Sequence, residues 1–297
     1  MVFSYALIGM AAVASTFVTA SPKSLVPLPW DGTGTDLTVE TLTKKYQDHI
    51  LIQRNGGNNG KPSDYVTIND GGRLPAYTDD QSVINIGVDA KAQFLTQTQL
   101  IRTELVRNVT ANTKGTTFFR MSLMKKDPFI HPFPWQLLFT ETHIFEIRVD
   151  ATKSPPMLIY LNNATWDAKH EVEFVYGTWY NFGIGIKAAA SGKGSVLDFY
   201  MSEGHADLVL ITSHEVSMQF PDFHEFHVGC LAYFDKVVPP MVPGQDIFSY
   251  NGVRILDEVS TSSDGSNLNV PTQMDPTGGS SEKLPAKQSP INPPKCA

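Results

Sequence analysis

Short apolar runs separated by turn residues recur along most of the chain. Examples are SVINIGVD, MLIYLN and VLDFYMS, which are bounded by residues such as Gly, Asn, Asp and Pro. This pattern is typical of β-strands joined by turns. About a dozen such strands with long connections favour an all-β chain, a two-sheet antiparallel sandwich or β-jelly roll, with few short helices. The clearest helical spacing runs from Val39 to Ile50, behind Asp36 and Thr38 as candidate N-caps.

Three strand-like segments contain carboxylates or imidazoles among apolar residues: LIRTELVR (100–107), WQLLFTETHIFE (135–146) and HEFHVGCLAYF (224–234). Side chains two positions apart on a strand share a face. We therefore expect Arg102 and Glu104 to be neighbours, and likewise Glu141 and His143. A single Glu in such a run is ordinarily a solvated carboxylate. Three such segments in one β-rich chain favour a functional cluster instead.

The same alternation separates His224 from His227 in the third segment. Only one of the two alternating sets can line a cleft, so one of these histidines is expected to be structural. On a strand, His143 and Glu146 would face opposite sides, which argues against a metal pair. The sequence also lacks an HExxH motif, a paired CxxC and a Gly-rich phosphate loop, and we predict no metal and no cofactor.

The two ends of the chain differ in composition from the rest. Residues 1–20 contain an apolar run from Tyr5 to Ala14 followed by small residues up to Ala20, which is typical of a secretory signal peptide. Residues 259–297 are rich in Ser, Gly, Pro, Asn and Lys with almost no aromatics, which predicts a disordered tail. Residues 21–258 are then expected to form one β-domain of an extracellular protein.

Charge and cysteine usage narrow the choice of partners. A net charge of −7 argues against nucleic acid or an anionic membrane and favours a neutral polymer. The hydrophobic fraction of 41% supports a sizeable core, and we expect a monomer. Cys230 and Cys296 are the only cysteines, and their spacing leaves open whether they pair. Sequons at Asn108 and Asn163 are consistent with an exported glycoprotein.

The three segments resemble motifs of glycoside hydrolase family 131. The similar stretches are Leu100 to Leu105, Trp135 to His143 with Glu146 beyond, and Phe226 to Gly229. They occur in the family's order within a similarity that spans roughly Trp30 to Glu258 and opens on Trp30-Asp31-Gly32. The resemblance implies a secreted β-glucanase with a β-jelly-roll fold that cleaves β-1,3, β-1,6 or β-1,4 glucosidic bonds. One departure is Ile101, where the family usually has a second Arg.

The resemblance also implies a set of site residues. Those expected to be catalytic are Glu104, Glu141 and His227, and those expected to contact substrate are Arg102, His143, Gln136 and Tyr233. Whether Glu141 or Glu146 is the second carboxylate stays open. Strand phase favours Glu141, unless a bulge intervenes.

The chemistry of glycoside hydrolysis agrees with a pair of Glu. It needs one carboxyl kept protonated and one kept ionised, so two Glu in unequal environments suffice. We expect Phe139 and Trp135 to raise one pKa by desolvation, and Arg102 to lower the other. We expect inversion at the anomeric carbon if the carboxyls lie about 6.5–9.5 Å apart, since retention needs about 5–5.5 Å.

Two other classes compete with the hydrolase. RTELVR also resembles the Arg-x-Glu-Leu segment of alginate and glucuronan lyases that share the jelly roll. None of the strand-like runs contains the Gln-x-His motif of the alginate lyases, however, and two Glu would repel a polyanion. A non-catalytic carbohydrate-binding protein would use exposed aromatics such as Trp166, Trp179 and Tyr233, but would leave buried Glu as an unexplained cost.

Overall fold

The computed structural model describes residues 25–54 and 56–266. The described residues form fourteen β-strands, with three short helical segments between the first and the second strand. The strands are β1 (Trp30–Asp31), β2 (Val66–Asn69), β3 (Val83–Val88), β4 (Leu100–Thr110), β5 (Thr117–Met124), β6 (Pro134–Thr140), β7 (Phe145–Asp150), β8 (Met157–Asn162), β9 (His170–Glu173), β10 (Tyr180–Ala188), β11 (Ser195–Glu203), β12 (Val209–Val216), β13 (Phe223–Tyr233) and β14 (Asp246–Leu256). The helical segments are the 3-10 helices Val39–Lys44 and Pro62–Asp64 and the α-helix α1 (His49–Ile52).

The strands form two antiparallel sheets packed as a sandwich, which confirms the expected fold class. One sheet has eight strands in the order β12-β11-β10-β5-β14-β3-β2, with β1 paired to β14. The other has six, in the order β4-β13-β6-β7-β8-β9. Neighbours distant in sequence, such as β4 beside β13, bring the three ionisable segments into one sheet.

Aromatic side chains fill the space between the sheets. Phe119 of β5 meets Phe145 and Phe226 of the six-stranded sheet at ring separations of 4.9 and 5.2 Å. Tyr160 and Phe199 stack across the sandwich at 4.0 Å. Burying these apolar rings stabilises the sandwich and leaves the outer face of the six-stranded sheet free to bind a ligand.

The predicted helix from Val39 to Ile50 is two separate pieces, the 3-10 helix Val39–Lys44 and α1. Gln47 lies between them and pairs with Val106 of β4, through N–H···O contacts of 2.7 and 3.0 Å in the two directions. This pairing needs extended backbone at Gln47, so a continuous helix is excluded. The apolar residues at helical spacing are nevertheless buried, as Leu42, Tyr46 and Ile50 show.

Residues 259–266, which composition assigned to the tail, lie against the sandwich. The buried Arg120 guanidinium donates to the Ser260 carbonyl at 2.7 Å and to the Ser260 hydroxyl at 2.9 Å, and it also donates to the Ser262 carbonyl. Leu208 N–H donates to Thr261 O at 2.9 Å. Packing therefore continues past residue 258, whereas the predicted signal peptide, the remainder of the tail and Cys296 lie outside the described residues. The Cys230–Cys296 pairing stays a prediction.

No helix in the described ranges has the length and apolar character needed to span a membrane.

Candidate active site

The outer face of the six-stranded sheet carries the candidate site at the junction of β4, β13 and β6. Glu104 lies opposite Gly229, and His227 lies opposite Val106, in one uninterrupted antiparallel register. The glycine is needed for space, because a Cβ on Gly229 would approach Glu104 Cα within 2.7 Å. The two ionisable side chains can therefore meet across adjacent strands.

Glu104 is fully buried and is held by two cationic partners. Arg102 donates to both of its oxygens, with Nε at 2.8 Å and Nη2 at 2.6 Å, in a bidentate pair. His227 Nδ1 lies 2.6 Å from Oε2. Burial alone would raise the pKa of Glu104, but the Arg102 charge and the His227 hydrogen bond lower it to about 2. Glu104 is thus ionised near neutral pH.

His227 lies between the buried carboxylate and two others near the surface. Its Nε2 is 3.3 Å from Glu141 Oε2 and 3.5 Å from Glu225 Oε1. The Phe139 ring stacks on the imidazole at 4.6 Å and shields it from water. Burial would lower the pKa of His227, but the hydrogen bonds to Glu104, Glu141 and Glu225 raise it to about 10. The ring is therefore an imidazolium with its second N–H directed at the surface carboxylates.

Glu141 is the carboxylate of this cluster with open access to solvent, since 46% of its side chain is exposed. It follows the last residue of β6, and its backbone N–H donates to Glu225 O at 2.9 Å. Burial acts to raise the pKa of Glu141, but the hydrogen bond and charge of His227 and the charge of Arg102 lower it overall. The site thus contains a held proton on His227 beside an ionised, accessible carboxylate.

Glu146, the alternative second carboxylate, has different partners. His143 Nδ1 lies 3.0 Å from its Oε2, and Arg148 pairs with its other oxygen. Its side chain is only 6% exposed. Of the two carboxylates, Glu141 is the one beside His227.

The alternation of side chains between the two faces departs from the expectation at two places, one within β6 and one in the turn after it. The register shifts between Gln136 and Leu138, so that Gln136 and Phe139 both lie on the outer face. Beyond Thr140 the chain turns, with a positive φ of 53° at His143. The turn reverses the chain direction and brings His143 onto Glu146, so the predicted separation of these two residues is wrong.

Trp135 falls on the inner side because of the same register shift. It is fully buried, with its ring 6.3 Å from Phe248 of the opposite sheet. The expectation that it desolvates a catalytic carboxyl is therefore wrong, and Phe139 alone of that pair contacts the cluster. His224 is the structural histidine, since it is buried with its ring 5.1 Å from Phe119 and burial lowers its pKa to about 3.

The remaining predicted residues share the outer face. His143 stacks on Phe139 at 5.6 Å. Gln136 is paired with Leu231 in the middle of the sheet and is nearly buried. Tyr233 ends β13 two positions beyond Leu231 and is 46% exposed. All three therefore lie on the face of the sheet that carries the cluster, and His143 contacts it through Phe139.

Two features of the site were not selected from the sequence. Glu225 shares the His227 face, and strand alternation alone could have indicated it. Phe94 lies under Arg102, 5.6 Å from the guanidinium carbon, and His49 packs edge-on against Phe94. Phe94 lies in the loop before β4 and His49 begins the short α1. Neither segment has a sequence periodicity that predicts which strand it approaches.

Glu141, Glu225 and His227 bring three potential ligand atoms within 4.8 Å of one another. A cation here would have to displace the proton on His227 Nε2. Because the hydrogen bonds to Glu104, Glu141 and Glu225 raise the pKa of that ring, the arrangement is better suited to holding a proton than a metal ion.

The outer face of the six-stranded sheet thus carries a carboxylate–imidazolium–carboxylate row, an arrangement that can perform acid–base chemistry. A family model described as "Glycoside hydrolase 131 catalytic N-terminal domain" matches residues 28–261. The chain belongs to this family, as the sequence motifs indicated, and it is a glycoside hydrolase.

Two solved structures have similar folds. The GH131 β-glucanase catalytic domain from Podospora anserina is 23% identical, with a TM-score of 0.63, over 80% of this chain and 98% of that one. The GH131 catalytic domain from Coprinopsis cinerea is 22% identical, with a TM-score of 0.62, over the same 80% and 98%. A search of curated proteins found no match.

Proposed function

We propose that this protein is a secreted, monomeric β-glucanase that cleaves β-1,3, β-1,6 or β-1,4 glucosidic bonds at the Glu104–His227–Glu141 cluster. The observation that carries the proposal is the position of His227, whose Nε2 lies 3.3 Å from the solvent-exposed Glu141 and whose Nδ1 lies 2.6 Å from the buried Glu104. Glycoside hydrolysis needs such a combination of a proton donor and a base. The similar fold of a β-glucanase supports the choice of substrate.

The roles follow from which polar atoms are already occupied. Both oxygens of Glu104 accept hydrogen bonds from Arg102 and His227, so Glu104 acts through His227 as a positioning residue rather than on the sugar. In our proposal Glu141 takes a proton from the attacking water, and His227 gives its Nε2 proton to the leaving oxygen. Once Glu141 is neutral it no longer stabilises the imidazolium, which makes His227 a better acid. Proton return from Glu141 to His227 then restores the site.

Inversion fits this arrangement better than retention. In the proposed roles Glu141 acts on water and not on the sugar, so no covalent intermediate forms. NMR of the first product formed should show the α-anomer from a β-glucan. A β-anomer as first product would contradict the proposed roles.

The class of reaction is tested on laminarin, lichenan, cellulose and alginate. Hydrolysis of a β-glucan releases reducing sugar without ultraviolet absorbance from an unsaturated uronate. Growth of that absorbance on alginate or glucuronan would instead establish the lyase alternative. Binding without product release would establish the non-catalytic carbohydrate-binding alternative.

The choice of carboxylate is tested by Glu141→Gln and Glu146→Gln. We expect Glu141→Gln to lower kcat by at least about a hundredfold, as for loss of acid–base catalysis. Its thermal midpoint should stay near that of the unmodified protein, because the side chain is half exposed. Near-normal activity in Glu141→Gln together with a collapse in a folded Glu146→Gln would assign the role to Glu146.

A further inference from the structure

Trp166 is the most exposed large apolar side chain on the outer face of the six-stranded sheet. It follows the turn that ends β8, and 75% of the residue is exposed. The Arg148 guanidinium lies over the indole ring, 4.2 Å from its centroid. This cation–π contact holds one part of the ring while leaving a large aromatic surface open to solvent.

The ring borders a pocket of about 270 Å³ on the sheet face. Ile159 and Leu161 of β8 provide apolar surface in it, and Lys153 and Glu171 lie among its charged residues. The charged residues that line the pocket are two of each sign, Arg148 and Lys153 against Asp150 and Glu171, and Lys153 pairs with Glu171. Aromatic and apolar surface with balanced charge suits a neutral polyhydroxylated ring, whose C–H face packs on the indole while its hydroxyls meet the polar groups.

The pocket lies on the same face as the candidate active site. Strand register places Leu161 beside Glu146, Glu146 beside Phe139, and Phe139 beside His227. Three strand spacings separate β8 from β13, which is about 14 Å at about 4.8 Å each. A ligand at Trp166 is thus in line with the cluster but too distant to be the sugar that reacts.

We propose that Trp166 is the stacking platform of a distal subsite that binds a neutral glucosyl unit of the same chain whose scissile bond lies at Glu141 and His227. The identity of the ligand rests on the proposed β-glucanase function. The subsite would make the enzyme favour long oligosaccharides, because a short one cannot reach Trp166 and the cluster together.

Equilibrium binding tests this subsite without depending on turnover. Calorimetry would compare cellobiose with cellohexaose, and laminaribiose with laminarihexaose, on Glu141→Gln and on Glu141→Gln carrying Trp166→Ala. Loss of one aromatic contact should weaken hexaose binding roughly threefold to tenfold and leave the disaccharides unchanged. Trp166→Phe should restore most of the affinity. Trp179→Ala is the matched control, since its ring lies over Arg73 beside the other sheet.

Thermal midpoints of all variants establish that they are folded. Equal hexaose affinity with and without Trp166, equal weakening of short and long ligands, or no binding of any glucan would each overturn the subsite. Hydrolysis of β-glucans by the unmodified protein is scored separately. Turnover without a Trp166 effect therefore removes only the subsite, while a Trp166-dependent affinity without turnover removes only the proposed hydrolysis.

Discussion

Replacing Glu104 by Gln tests whether a buried charge cluster organises the site. The substitution preserves shape but removes the negative charge between Arg102 and His227. Breaking a buried ion pair by removing one partner costs about 3–5 kcal/mol, because the remaining charges stay buried without compensation. We therefore expect Glu104→Gln to lower the free energy of unfolding by an amount in this range near neutral pH.

The pKa values lead to the same magnitude. The folded-state pKa of Glu104 is about 2, against 4.5 for the unperturbed group. A depressed pKa stabilises the folded protein above the unfolded value, and this contribution is lost as the pH falls from about 4.5 to 2. The difference corresponds to about 3 kcal/mol. His227 has the opposite sign, since its raised pKa stabilises below about 6.5 and loses effect as the pH rises towards 10. The stabilisation from Glu104 and that from His227 both arise from the hydrogen bond between them, so the two free energies are not added.

The assay is denaturant unfolding at several pH values, combined with NMR titration of the His227 ring. In the unmodified protein His227 should stay protonated well above neutral pH, and in Glu104→Gln it should titrate at lower pH. Glu225→Gln is the control, because its carboxylate is partly exposed and 3.5 Å from His227, where a loss of at most about 1 kcal/mol is expected. The reasoning would be refuted if the free energy of unfolding of Glu104→Gln lay within about 1 kcal/mol of that of the unmodified protein and the pKa of His227 were the same in both.

Two further predictions concern the chain end and the sequons. Deleting residues 267–297 should leave the thermal midpoint unchanged. Deleting residues 259–297 should lower the free energy of unfolding by about 1–3 kcal/mol, because Arg120 loses buried hydrogen-bond acceptors. Equal thermal midpoints for the two deletions would contradict this prediction. After expression through a eukaryotic secretory pathway, mass spectrometry of the folded, active protein should find glycan at Asn163, which lies in a turn, and none at Asn108, which is 1% exposed within β4. Glycan on Asn108 in active protein would show that β4 pairs differently.

Alternation of side chains on the long strands could be read from the sequence alone. β4 and β13 are each eleven residues long and pair without interruption, so Arg102 and Glu104 lie on the predicted face. The separation of His224 from His227 was also predictable, because period-two alternation depends only on local backbone geometry. The all-β fold class was visible for the same reason.

Local irregularities were not visible, since each depends on a non-local partner. The shift after Gln136 and the turn at His143 arise where β6 must pair with both β13 and β7. The interruption of the helix at Gln47 depends on Val106, far along the chain. Backbone groups must find partners in the folded sandwich, and those partners override local spacing.

The sequence by itself determined the strand periodicity, the fold class and the residue types available for acid–base chemistry. Tertiary structure alone decided which of them meet: Arg102 and His227 close on Glu104, Glu141 stays accessible beside them, and Glu146 turns to His143. The physical reason is that pKa values and accessibility depend on distances between strands remote in sequence, and only the sheet order sets those distances.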